Sequence, residues 1–112
     1  MRLVVIESPF AGEKDKNLRY LRAAMADCLK RGEAPFASHA LYTQPGVLDD
    51  GDPEQRRLGI EAGFKWGYFA EVIAFYVDLG MSPGMIAALE HWEATRHEED
   101  RKIEIRRIEG WK

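Results

Sequence analysis

Hydrophobic and polar positions divide the 112-residue chain into alternating strand-like and helix-like stretches. Residues 3–6, LVVI, are a short unbroken apolar run with the length of a strand buried on both faces, and the run stops at Ser8-Pro9, ahead of Phe10 and Gly12. From 15 to 31, apolar residues fall three and four apart at Leu18, Leu21, Met25, Cys28 and Leu29. Lys16, Arg19, Arg22, Asp27 and Lys30 take the other side, so this is one apolar stripe of a helix, with Gly32 placed to end it. Residues 34–38, APFAS, predict a second strand, and Pro35 confines it to an edge or a strand start because proline has no N–H for a ladder. A loop over 43–52 follows, with Pro45, two glycines and the acidic cluster Asp49, Asp50 and Asp52. Asp52-Pro53 predicts a helix entry with an acidic N-cap and proline at the first position, continuing toward Tyr68. Within it Gly59, Gly63 and Gly67 recur every fourth residue and leave one stripe bare, which predicts close approach of another element, on the sheet or across a dimer contact. Residues 72–77, VIAFYV, predict a strand in the sheet interior. Ser82-Pro83 is a clear helix start whose apolar face is Met85, Ala88, Leu89 and Trp92, and this helix is expected to run out through His97 toward Arg101. Residues 102–108, KIEIRRI, alternate Ile103 and Ile105 with charged neighbours, the period of a half-exposed edge strand. The order β-α-β-loop-α-β-α-β, with connections long enough for right-handed crossovers, predicts a single three-layer α/β domain with a four-stranded, mainly parallel sheet in order 2-1-3-4.

Composition narrows the partners. A net charge of −3 and a pI near 5.6 give no basic footprint, which argues against duplex nucleic acid and leaves a small molecule as the expected ligand. One cysteine, Cys28, excludes an intramolecular disulfide framework, sits at a core position of its helix and fits a reducing compartment. No apolar run approaches the roughly 20 residues of a membrane span. The run at 3–6 is also too short for a signal peptide, so a cytoplasmic protein with no membrane association is expected.

If the sheet is parallel, three strand ends meet on one rim: residues 8–12, 38–42 and 78–85. Ser82, Gly84 and Met85 add a helix N-terminus suited to a phosphate or carboxylate. His39 and Tyr42 fall just past a strand end, and Asp50 lies in the long loop beside them. There is no Walker motif, no GxGxxG fingerprint and no metal-spaced cluster; His39, His91 and His97 share no ligand spacing, and the last two are expected as exposed helix residues. No metal and no cofactor are therefore expected.

SPFAG, the segment APFASHALYTQ with Asp49-Asp50 after it, and VIAFYVDLGMSPGM together resemble the small phage and bacterial relatives of the nucleoside 2-deoxyribosyltransferase family, over most of the chain. The resemblance implies a flavodoxin-like or Rossmann-like fold and cleavage or exchange of the N-glycosidic bond of a nucleoside or nucleotide. It also implies a nucleophilic glutamate near the start of the last helix and sites completed by a neighbouring subunit. Ser8, Phe10 and Gly12 match the first substrate loop, and Asp78 matches an acidic strand-end position, which makes it the catalytic candidate, with Asp49, Asp50 and Glu61 as further acids. Ala88 stands at the nucleophile position. Glu90 lies roughly 140° around the helix from Met85 and is no substitute. Two functions are carried forward: a nucleoside- or nucleotide-binding protein that cleaves or transfers an N-glycosidic bond, and a non-catalytic relative that sequesters such a ligand. A homodimer or larger homo-oligomer is expected, because Trp66, Tyr68, Trp92 and Trp111 are many aromatics for one small core.

Overall fold

The computed structural model describes residues 1–95 and 101–112. Strand β1 (Leu3–Glu7) leads through helix α1 (Lys14–Lys30) to β2 (Ala34–Phe36). A single turn, α2 (Ser38–Leu41), and helix α3 (Pro53–Gly67) then lead to β3 (Val72–Tyr76), and α4 (Pro83–Thr95) precedes β4 (Lys102–Arg106). The expected passage of the last helix through His97 lies outside the described residues. All three strand pairings are parallel and the order is β2-β1-β3-β4, as the crossover pattern predicts.

The two apolar runs take the middle of the sheet because both their faces are covered. Val4, Ile6, Val72, Ala74 and Tyr76 face α1 through Tyr20, Leu21, Ala24 and Cys28. Val5, Ile73, Phe75 and Val77 face Met85, Ala88 and Trp92 of α4, with Phe64 and Tyr68 from the α3 side. The α1 face thus covers one side of the β1–β3 pair, and α3 with α4 covers the other.

Several local expectations are corrected. The second strand stops at Phe36, and Ser38 opens α2 instead of closing the strand. Asp52 holds the N-cap position of α3 without a side-chain cap bond; Pro53, with its fixed φ, starts the helix. His91 is half-buried and not exposed, its ring stacked on Phe64 at 4.0 Å and 2°. In β4 the charged positions are not simply solvent-facing: Arg106 is only 4% exposed, because its guanidinium donates to both carboxylate oxygens of Glu33, at 2.7 and 2.8 Å.

The glycine stripe is filled from within the chain. Leu48 lies over Gly59, Ser38 over Gly63, and the six-membered ring of Trp92 sits directly on Gly67. Trp92 is fully buried and Trp111 packs edge-on against Tyr20 at 4.9 Å, whereas Trp66 and Phe69 remain exposed. Arg101 holds Trp92 from another side, with its guanidinium 4.6 Å from the indole and its Nε–H donating to the Gly67 carbonyl at 3.1 Å. A methyl group at Gly67 therefore meets a ring that cannot swing away. We expect Gly67→Ala to destabilise the fold by about 1–3 kcal/mol through overpacking, despite alanine's advantage of about 1 kcal/mol in a helix. Urea denaturation checks this, and a variant as stable as the parent contradicts it.

Candidate functional site

Glu7 is the last residue of the buried central strand. Strand alternation puts its side chain on the same face as Val5, toward the layer of α3 and α4, and it pairs with Phe75 of β3. This is the switch point of the sheet, where β1 connects to β2 on one side and pairs with β3 on the other, and the crevice outside such strand ends is where open α/β sheets bind ligands. Glu7 is half-buried. Loss of hydration pushes its pKa up to about 7, and the indole of Trp92 pulls weakly the other way. The Trp92 N–H is buried and makes no hydrogen bond of ordinary length.

The next residue builds the neighbouring contact. Ser8, itself buried, shares a 2.9 Å hydrogen bond between its Oγ and His39 Nε2, and the Phe10 ring meets the imidazole edge-on at 5.9 Å. Burial pushes the His39 pKa down to about 4, against the opposing pull of the Asp50 carboxylate, so the ring is neutral at physiological pH. Asn17 fixes the loop above by donating from Nδ2 to the Phe10 and Ala11 carbonyls, at 2.9 and 3.1 Å. Gly12, at φ +93°, turns the chain into α1. A groove of about 350 Å³ runs along α3 from Asp50 and Gly51 past Pro53, Arg56 and Ile60 to Phe64, within the range of small-molecule sites. A larger hollow of about 450 Å³ lies within residues 43–49 and Gln55, and neither it nor the groove is lined by Glu7 or His39.

The structure thus brings Ser8, Phe10, His39 and Asp50 together; Glu7, which sequence reasoning missed, precedes Ser8 in the chain and turns toward Trp92. Other candidates stand elsewhere. Asp78 faces the α1 side, where its Oδ2 accepts from Tyr20 Oη at 2.6 Å and from the Ile108 N–H at 2.8 Å, while its own N–H donates to Tyr20 Oη. Ser82 caps α4, its Oγ accepting from the Met85 N–H at 3.2 Å; Gly84 is exposed on the first turn and the Met85 side chain is in the core. Tyr42 accepts from the Trp66 indole at 2.9 Å and lies edge-on to Phe36. Glu61 is paired with Arg57, and Asp49 accepts from the Gly51 N–H. Among the described residues no group of His, Cys, Asp and Glu side chains can hold a metal ion, and no helix is long and apolar enough to cross a membrane.

A family model described as Domain of unknown function (DUF7768) matches residues 2–106. The chain belongs to this family. No curated protein matches it. Among solved structures, a 2-deoxyribosyltransferase from the psychrotolerant bacterium Bacillus psychrosaccharolyticus is similar to this DUF7768 chain with a TM-score of 0.67, 14% sequence identity, and coverage of 98% of this chain and 75% of that one. At that identity the likeness shows a common fold. The motif resemblance to 2-deoxyribosyltransferases accordingly stands as a distant relationship of fold, and the family is DUF7768.

The two shifted groups have opposite linkage. Glu7 binds its proton more tightly folded than unfolded, so its ionisation destabilises the fold as pH rises from about 4.5 to 7, by up to about 3 kcal/mol. His39 binds its proton less tightly when folded, so stability falls as pH drops from 6.5 toward 4. We expect the stability of Glu7→Gln relative to the parent to be about 2 kcal/mol greater at pH 8 than at pH 5 in urea denaturation. An offset that does not change with pH contradicts the burial of this carboxyl.

Proposed function

We propose that this DUF7768 chain binds a nucleoside or nucleotide at the β1–β3 rim and acts on its N-glycosidic bond. One observation carries the reading: at the switch point of the sheet, just past the end of the central strand, the Ser8 hydroxyl is hydrogen-bonded to the His39 imidazole with the Phe10 ring edge-on beside it. Such a site offers a neutral hydroxyl–imidazole pair with the Asp50 carboxylate beside it, which suits sugar hydroxyls and the polar edge of a heterocycle. The aromatic edge of Phe10 and the groove from Asp50 to Phe64 supply apolar surface for a base. The fold shared with a 2-deoxyribosyltransferase supports the same ligand class.

A second reading, a protein that sequesters the ligand without turnover, is favoured by Ala88. That residue is 5% exposed in the apolar layer, at the position where the resemblance implies a nucleophilic glutamate. A panel of deoxynucleosides and their monophosphates separates the two. Stabilisation against heating with release of free base, followed by chromatography, is the expected result; stabilisation without base favours sequestration, and neither from any member contradicts both.

The reading places the protein in the cytoplasm, where the buried Cys28 stays reduced, and in a homodimer or larger assembly. With the glycine stripe covered by the chain itself, the exposed Trp66 and Phe69 are the surface that supports association. Light scattering at micromolar concentration is expected to give at least twice the 12.8 kDa of one chain; a monomer mass contradicts it.

A further inference from the structure

We infer that strand β4 is a contact surface for a second copy of this chain, joined edge to edge and antiparallel about a two-fold axis at Ile103. The inference is independent of the nucleoside reading, and it names a contact other than Trp66 and Phe69. Trp66 packs on Phe36 of β2, at the opposite edge of the sheet. The two edges differ in what they offer a partner strand. β2 has three residues, and Pro35 in its middle has no N–H to donate. β4 has five residues and no proline. The Lys102 N–H donates to the Glu71 carbonyl, and the Arg106 carbonyl accepts from the Val77 N–H, so Lys102, Glu104 and Arg106 turn their backbone groups toward β3. Ile103 and Ile105 turn theirs outward, where no hydrogen bond from the described residues meets them. The Ile105 side chain is also 59% exposed, because α4 covers Ile103 and stops short of it.

Charge selects the partner and the register. Lys102 and Glu104 share the α1 face of the strand with Arg106, as their pairing with Val72, Ala74 and Tyr76 requires. Lys102 is exposed with no ion pair among the described residues, and the Glu104 side chain is 32% exposed. An antiparallel copy centred on Ile103 sets Lys102 opposite the partner's Glu104, and symmetry repeats the pair. These are non-hydrogen-bonded positions, where facing side chains lie closest. The two Ile103 residues exchange both backbone hydrogen bonds, and each Ile105 lies diagonal to the partner's Ile103 on the α4 face. Centring on Glu104 instead sets Glu104 on Glu104 and Lys102 on Arg106, like charge on like. Centring on Ile105 leaves Lys102 opposite Ile108 and gives Glu104 an arginine that is 4% exposed and already held by Glu33. A two-fold contact uses each β4 edge once, so it closes as a dimer.

Analytical ultracentrifugation of the full chain over a concentration series tests this. We expect Lys102→Glu and Glu104→Lys each to weaken the contact at least about tenfold, because both cross-strand pairs become like-charged, and the assembled mass to fall to half the parent's. An equimolar mixture of the two variants is expected to regain the parent's affinity within about threefold, since one chain then brings two acids and the other two lysines. Either variant associating as tightly as the parent, or a mixture no tighter than the variants alone, overturns the inference. Loss of association in Trp66→Ser with none in Lys102→Glu assigns the assembly to the β2 edge and overturns it as well. A monomeric parent removes this contact and the expected assembly together and leaves the nucleoside reading standing. Should Glu104→Lys fail to fold through loss of its bond to Arg106, the exposed Lys102→Glu decides alone, by the same tenfold criterion.

Discussion

A carboxyl group that ends a strand buried on both faces must either give up hydration to ionise or keep its proton, and in this protein that constraint falls on Glu7. Its place follows from the packing of the whole domain. Val4, Val5 and Ile6 need helices on both sides, α1 takes one face while α3 and α4 take the other, and alternation leaves Glu7 pointing at Trp92. Trp92 in turn is held by the bare backbone of Gly67 and by Arg101, so the wall against which Glu7 rests is rigid. Ser8 follows directly, and its bond to His39 ties the end of β1 to α2. The polar groups of the rim are therefore positioned by core packing rather than by a flexible loop.

Charge on the opposite face is handled differently. There the buried Arg106 finds Glu33, Glu104 and Tyr76, and the hydrogen bond from Arg106, with a second from Arg2, holds the Glu33 carboxyl down at about 2. Both members of the pair stay ionised because each satisfies the other, so removing either one alone leaves a buried charge, a change that typically costs about 3–5 kcal/mol. Asp78 acts in the same manner for the C-terminal segment, joining Tyr20 of α1 to the backbone of Ile108. The contrast sets Glu7 apart: cations and hydroxyls compensate the acids of the α1 face, whereas the acid at the switch point has the neutral indole of Trp92 beside it.

Much of the architecture was legible because it depends on local pattern. The unbroken runs at 3–6 and 72–77 identify the central strands, Pro35 and the alternation at 103–105 identify the edges, and Ser82-Pro83 starts α4 where it is found. Features that depend on distant partners were not legible. Arg106 reads as an exposed edge residue until Glu33, 73 positions away, is brought to it. The glycine stripe signals close approach, but nothing local says that Ser38 and Trp92 of the same chain occupy it. Part of the rim was readable, since Ser8, Phe10 and His39 flank predicted strand ends. Glu7 left a faint signal, an acid closing an apolar strand just before Ser-Pro, and its burial becomes visible only when α4 is packed over it.

The account turns on the protonation of that one side chain. Carbon-13 NMR of the Glu7 carboxyl carbon, assigned by its loss in Glu7→Gln and followed across pH 3 to 9, measures it directly. A titration midpoint near 7 is the result predicted here. A midpoint at the ordinary glutamate value near 4.5 would mean that water reaches the carboxyl freely, and would contradict the site as described.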